Sequence, residues 1–556
     1  MNTTLLLMIW LLPLSLTALA SRRHANWLLP LAAIPALLAV TLLPIGTRAS
    51  LPWLLLGGEL GIDATGRVFL GFSSLLWLIA AVYIAGSQNV IAASGRFRVF
   101  FLLAMAGNLG LIVAQDMVTF YFGFALMGLS ACGLVAHASS RRAGRAARTY
   151  LVWTIAGELC LFTAIVSLAA SGAGALTFDA LQTTPRSAFT VLLLIAGFGI
   201  KLALPLLHWW LPPVYAVTPV AVVALFSGVM IKAGLLGWLR FLPPGDATPA
   251  GWGVLLILIG AAAIAFGVVA GLVQKRPRLL LGYSSISKMG ILTGGLGAAV
   301  VLPAAAPGIV FALLVYATHH ALVKTALFLG LGLVERGGLR LPMLMGLGFL
   351  ALVLAGAPLT SGALAKSALG ASLPQTAATL VTLLAASTVA TTLLMARLMF
   401  LLWTRRRRAI RPLPGTPVAA WLCLVALVLS LPFLLTGFDQ SMTNAMPVAL
   451  GLLLAPLVIP IASRASVRLN GPHIPTRIQA RGSGPRAASG GVPLAACLVS
   501  EFGAIDWKRP VAAGRRIAGN LRVRLQQYGE SARHPLTGAL WLAIAGGLLG
   551  TFAAAA

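Results

Sequence analysis

The stretch SGVMIKAGLLGWLRFL, Ser227 to Leu242, decides the fold class. It is apolar around a single lysine, Lys232, with one arginine near its end. A charge in the middle of such a segment costs roughly 2.5–3.5 kcal/mol on membrane-insertion scales. The rest of the chain has the same character: 556 residues, 59% hydrophobic and only 9% charged. A soluble domain carries about 25% charged residues. Runs such as Val191–Ile200, Trp252–Val273 and Ile309–Leu333 show no apolar–polar alternation. Barrel strands would alternate over about ten residues. The chain is therefore read as an all-α polytopic membrane protein.

The apolar runs predict about fifteen spans, with a further one over Leu536–Phe552. GAPLTSG, Gly356 to Gly362, interrupts the stretch near 340–372, which is expected to hold two shorter helices. The N-terminus, MNTTLLLMIWLLPLSLTALASRRH, has two readings. One is a signal peptide cleaved after ALA. The other is a first membrane helix, favoured because no Lys or Arg precedes the apolar run and Arg22 and Arg23 follow it.

The formal charge is +29. Arg22–Arg23, Arg96/Arg98, Arg141–Arg148, Lys275–Arg278 and Arg405–Arg411 all follow odd-numbered spans. One side of the membrane thus takes nearly all the positive charge. The positive-inside rule makes that side cytoplasmic and the N-terminus external. A bacterial inner membrane is the expected location. The basic balance serves loops, and nucleic acid is not an expected partner. Residues 464–535 are rich in Arg, Gly, Ser and Pro and read as a cytoplasmic linker. Within them Trp507–Gly529 reads equally as a basic surface helix or a flexible loop.

Cys132, Cys160, Cys423 and Cys497 lie far apart, without CxxC spacing. No disulfide framework and no metal site is expected. No Fe–S pattern, dinucleotide fingerprint or haem motif is present, so no cofactor is expected.

The placement of lysine carries the functional signal. The chain has seven lysines, and five stand in apolar segments: Lys201, Lys232, Lys288, Lys324 and Lys366. Together they cost about 12–18 kcal/mol on the lenient insertion scale. Lysine, unlike arginine, exchanges its proton readily when buried. A row of such lysines is the physical form of a proton relay. THHALVK, Thr318 to Lys324, puts His320 and Lys324 one turn apart on one helical face. His319 points about 100° away. An imidazole takes a proton at one nitrogen and gives it from the other, which suits a shuttle. His208 lies in GIKLALPLLHWWLPPVYAVTP, Gly199 to Pro219, where four prolines break the helix. Broken helices within membranes line cavities and sites. Glu158 is the one acid well inside a span and can pair with a buried lysine. Asp116 stands at a helix boundary and reads as a cap.

These motifs resemble the antiporter-like proton-channel subunits of respiratory complex I. They also resemble the large membrane subunit of group 4 hydrogenases and formate hydrogenlyase, and the Mrp antiporters. The resemblance covers roughly residues 60–400 and rests on five motifs. They are FGIKLALPLLHWWLP, TPVAVVALFSGVMIKAGLLGWLR, LLLGYSSISKMGIL, HHALVKTALFLGLG and GAPLTSGALAK. It implies two inverted five-helix repeats, each with a broken helix, and a central polar axis. It implies that Lys201 is the broken-helix lysine of the first half and that Lys232 follows on the next helix. Lys324 with His320 would connect the halves. Lys366 would be the second-half lysine, and Lys288 stands where relatives carry a polar residue. The family's fifth-helix glutamate is missing, because Ala125 occupies its place in FGFALMGLSACGLVAH. Glu158, on the next helix, is the candidate substitute.

The expected organisation is residues 1–98 as N-terminal helices and 99–403 as an antiporter-like conducting core. Additional helices occupy 404–463, the basic linker 464–535, and a C-terminal span 536–556. The leading reading is a proton-translocating, non-redox subunit of a complex I-like or hydrogenase-type complex. Its partners would be other membrane and peripheral subunits, lipid, and protons or Na+. The alternatives are a subunit of a cation/proton antiporter or inorganic-carbon uptake complex, and a non-conducting scaffold.

Overall fold

A computed structural model describes residues 2–470, apart from 23–24, 88–93, 138–139, 173, 245–247, 405–410 and 435–443. The basic linker, the C-terminal span and Cys497 lie outside the described residues. Residues up to Ala462 form one compact unit.

The chain opens with α1 (Asn2–Leu16), α2 (Leu28–Leu31) and α3 (Ile34–Leu42). A small antiparallel hairpin follows, β1 (Arg48–Leu51) paired with β2 (Gly58–Gly61) in register Arg48↔Gly61 to Leu51↔Gly58. α4 (Ala64–Ala85) leads into the first repeat: α5 (Gly95–Val113), α6 (Met117–Ala136), α7 (Arg141–Ser171) and α8 (Phe178–Leu181). It ends with the half-helices α9 (Ala188–Lys201) and α10 (Leu211–Val217), then α11 (Val220–Gly228) and α12 (Ala233–Phe241). The second repeat is α13 (Ala250–Leu272), α14 (Pro277–Val301) and α15 (Ala306–Gly337), with half-helices α16 (Leu341–Ala355) and α17 (Ser361–Ala371), then α18 (Ala378–Thr404). α19 (Gly415–Leu434) and α20 (Ala445–Asn470) close the described chain.

Among the described residues thirteen helical stretches are long and apolar enough to cross a membrane, and α9 and α16 are shorter apolar helices beside them. The expected span positions are met, including the split near residue 356. In each repeat the broken helix is fourth of five spans. Five is odd, so the same order of spans enters the membrane from opposite faces in the two repeats.

Each break has a local cause. Pro212 and Pro213 stand in the first turn of α10, where a missing N–H is no loss. The loop before them holds Ala203 and Leu206 at positive φ, 54° and 70°. In the second break Gly356 caps α16 at φ 90° and Leu359 adopts φ 62°. A non-glycine residue in that region costs about 1–3 kcal/mol, and such strain gathers at functional sites. α11 and α12 are also separated, because Val229 leaves helical geometry at φ −121°, ψ −64°.

Small residues set the packing. Gly253, Gly260 and Gly267 of α13 meet the backbone of α14 so closely that any Cβ there would clash. Without a hydrophobic drive in lipid, such backbone contact holds helices together. Asp116 caps α6 as expected, accepting from Thr119 N at 2.8 Å and also from Glu59 N at 2.8 Å.

Arginines clamp helix ends. Arg98 donates to the carbonyls of Ala20 (2.7 Å) and Arg22 (2.9 Å). Arg67 donates to Val40 O, and Arg186 to the carbonyls of Leu181, Thr184 and Phe241. Arg240 is buried and donates to the last carbonyls of α5, those of Leu111, Ile112 and Ala114. The cluster Arg141–Arg148, expected in a loop, is helical. Ser140 Oγ accepts from Ala143 N at 3.1 Å and starts α7 there. At 31 residues α7 exceeds the roughly 20 that a membrane requires, so its basic first turns extend the helix beyond that need.

Candidate functional site

All five predicted lysines are buried, none more than 6% exposed. Among the described residues no salt bridge joins any of them to an acid. Their ammonium groups are held instead by carbonyls and hydroxyls, and each partner has a structural origin.

Lys232 follows the Val229 irregularity. The interrupted ladder leaves carbonyls of α11 open, and Lys232 Nζ donates to two of them, Ser227 O (3.0 Å) and Gly228 O (2.8 Å). The break thus supplies what offsets the buried charge. Lys324, on α15, donates to Leu281 O (2.7 Å) and to Ser284 Oγ, both on α14. Lys288, on α14, donates to Thr391 Oγ1 of α18. Lys366, on α17, donates to Ala355 O (2.5 Å), the last residue of α16, and to Thr388 Oγ1 (2.9 Å). The C-terminal end of a half-helix carries partial negative charge, which favours a cation there.

Lys201 ends α9. Its Nζ donates to Tyr150 Oη at 3.3 Å and lies 5.2 Å from the centre of the Phe124 ring. The carbonyl of Ile200, at the break, accepts from Trp210 Nε1 at 2.7 Å and from Ala203 N at 3.0 Å. Glu158, on α7, acts electrostatically on Lys201 without a direct contact, and its Oε1 is buried without a hydrogen-bond partner. A Cβ placed on Gly128 of α6 would lie 2.9 Å from Glu158 Oε1 and 3.7 Å from Lys201 Nζ. Gly128 is one turn from Ala125. The α6 face at Gly128 therefore leaves room for the carboxylate of the next helix. A cavity of about 10 Å³ lined by Tyr150, Thr154 and Lys201 lies there, about the volume one water occupies.

The remaining groups lie within electrostatic reach of one another. His320 has no exposed surface, and both ring nitrogens lack hydrogen-bond partners. It lies within electrostatic reach of Lys232, Lys324, Lys288 and His319. His319 Nδ1 is 3.0 Å from Ser361 Oγ and within reach of Lys366, Lys288 and Lys232. The structure thus brings together Lys232, His320, Lys324, Lys288, His319 and Lys366. Lys201 and Glu158 make a separate pair. Tyr150, Trp210 and Phe226 stack between α7, α10 and α11 beside that pair, with ring centroids 5.3–6.0 Å apart. His208 stands apart in the first break, among Trp209, Phe266 and Tyr283, with its ring 4.6 Å from that of Phe266.

Sequence reasoning missed Tyr150, Ser284, Thr388 and Thr391 as lysine partners. For the threonines a signal existed: STVATT, Ser387 to Thr392, puts four hydroxyls on adjoining positions of an otherwise apolar helix. It also missed a mouth of about 230 Å³ lined by Thr218, Arg278, Glu335 and Arg336. Arg278 pairs there with Glu335 through two hydrogen bonds. Among the described residues no cluster of three metal-binding side chains occurs.

Two five-span repeats, each broken in its fourth span, with lysines buried at and between the breaks, define an antiporter-like membrane subunit. Residues 114–394 match the family described as NADH:quinone oxidoreductase/Mrp antiporter, transmembrane. The chain belongs to that family. It is 31% identical over 343 residues to NADH-quinone oxidoreductase subunit N of Desulforudis audaxviator, covering 57% of this chain and 63% of the relative. It is 32% identical over 256 residues to hydrogenase-4 component B of Escherichia coli, covering 44% of this chain and 37% of the relative. The chain thus spans less than two thirds of the length of these relatives. In fold it is similar to a chain of the Mrp complex from Dietzia sp., with TM-score 0.71 at 22% identity over 99% of this chain and 63% of that one. It is likewise similar to a chain of respiratory complex I from Thermus thermophilus, with TM-score 0.67 at 21% identity over 82% of this chain and 99% of that one.

Proposed function

We propose that this chain is the proton-translocating membrane subunit of a complex I-like or hydrogenase-type redox complex. Protons move through the row Lys232, His320, Lys324, Lys288, His319 and Lys366, with Lys201 and Glu158 as the first-half pair. The observation that carries this reading is the way the lysines are held. Each is buried on neutral oxygens, which accept from an ammonium without pinning it as an ion pair would. A charge so held can give up its proton. A scaffold would have no use for five such costly groups. Electron transfer belongs to partner subunits, since this chain carries no redox motif. The arginine-rich mouth beside Arg278 faces the cytoplasm of a bacterial inner membrane, the N-terminus lies outside, and residues 99–403 form the conducting core.

The test is proton uptake into proteoliposomes carrying the full-length chain under an imposed pH gradient. Lys324→Ala and Lys232→Ala each lower uptake by about a hundredfold, the scale of lost acid–base catalysis. Wild-type uptake in both variants would sink the relay. The nature of the neighbouring genes separates a redox complex from a cation/proton antiporter, the second reading.

A further inference from the structure

α18 takes no part in the lysine row by its own charge, yet it receives two of the five lysines. Ser387, Thr388, Thr391 and Thr392 are all buried, none more than 2% exposed. Lys366 of α17 donates to Thr388 Oγ1 at 2.9 Å, and Lys288 of α14 donates to Thr391 Oγ1. The hydroxyl protons of both threonines are already committed. Thr388 donates to Leu384 O at 3.1 Å and Thr391 to Ser387 O at 2.6 Å. A hydroxyl has one donor and two acceptor sites. With the donor spent on its own helix, each oxygen presents lone pairs to the lysine and nothing else. The two threonines are three residues apart, so their Cβ atoms are about 5–6 Å apart on one face. Lys288 and Lys366 are accordingly close enough for the charge of one to act on the other. His319 of α15 faces both, held by Ser361. Among the described residues no carboxylate bonds to either lysine. Two ammoniums within electrostatic reach of each other repel, and no acid pairs with either, which favours one shared proton.

We propose that Thr388 and Thr391 are positioning residues that hold Lys366 and Lys288 as a couple sharing a single proton. This couple is the transfer step between the centre of the row and its second-half end. The step balances without any co-reactant. One N–H bond breaks at the ammonium of one lysine and one forms on the neutral amine of the other, directly or through a single intervening water or the His319 ring. This proposal rests on the proton-conducting function above.

The test uses the full-length chain in proteoliposomes, with uptake normalised to inserted protein. Thr388→Val and Thr391→Val keep the side-chain shape and remove the acceptor. Each lowers uptake by up to about a hundredfold, as loss of placement does. The double variant is no slower than the slower single one, because both threonines serve one step. Thr388→Ser and Thr391→Ser keep the oxygen and keep most of the uptake. Wild-type uptake in the Val variants overturns the proposal, and so do independent, multiplying losses in the double variant. Should a Val variant fail to insert, the Ser variants decide: loss of uptake in both overturns it. Lys366→Ala separates the two ideas. If it abolishes uptake while Thr388→Val does not, only the positioning role fails. If it leaves uptake intact, the conducting function fails with it.

Discussion

The two broken helices solve the same problem in opposite ways. In the second half the break frees the carbonyl of Ala355, and that carbonyl accepts from Lys366. In the first half the carbonyl of Ile200 at the break is taken by Trp210 and by the backbone N–H of Ala203. Lys201 is left with the hydroxyl and ring of Tyr150, the ring of Phe124 and the charge of Glu158. One lysine is thus stabilised by backbone and hydroxyl dipoles, the other by a carboxylate across a small gap. A lysine on dipoles depends on the helix break itself. A lysine near an acid depends on where that acid stands, and here the acid is Glu158 of α7.

The sharpest break of this comparison is Lys201→Ala against Lys366→Ala. Both are expected to lower proton uptake by about a hundredfold. If Lys201→Ala conducts like wild type, the first half is silent and the comparison has one working side. Next comes Glu158→Gln, expected to lower uptake about tenfold through loss of the partner charge. Adding Ala125→Glu to it restores the carboxylate on α6 and is expected to recover most of that loss. An unchanged Glu158→Gln variant removes the acid from the mechanism. Trp210→Phe removes one of the donors to Ile200 O, which keeps Ala203 N at 3.0 Å, and costs about 0.5–1.5 kcal/mol. It should lower the melting temperature in detergent, and an unchanged Tm would show that the first break is satisfied some other way. Asp116→Ala removes the α6 cap for about 1 kcal/mol, measurable in the same melt, and leaves uptake unaltered.

Much of this was legible before any coordinates. Helix number, the breaks and the lysines follow from composition, proline and glycine, which act locally. The partner of Lys232 was readable in principle too, since its carbonyls lie four and five residues back. The others were not. Tyr150 is 51 residues from Lys201, and Thr391 is 103 from Lys288. Such contacts depend on which helices pack together, and near-uniformly apolar helices hide that choice, because no amphipathic stripe marks the inner face. The arginines misled in a similar way. Arg240 reads as a helix-end charge, yet it bolts the end of α5 from inside the protein. The hairpin at residues 48–61 was missed because its strands are four residues each, too short to show alternation.

The place of Glu158 on α7 has a consequence for how the protein meets its surroundings. Val152, Ile155, Leu159, Phe162 and Val166 form an exposed stripe along α7, from 43% to 61% accessible. Glu158 sits on the same helix and faces inward. A helix is about 10 Å across with its side chains. Whatever lies against that stripe, acyl chains or another subunit, is therefore one helix away from the carboxylate that acts on Lys201. A change in lipid thickness or in a neighbour's position that rotates α7 moves the acid directly. The first repeat has Glu158 in its outer wall, where the environment can reach it, while the second keeps Lys288 and Lys366 among hydroxyls in the interior.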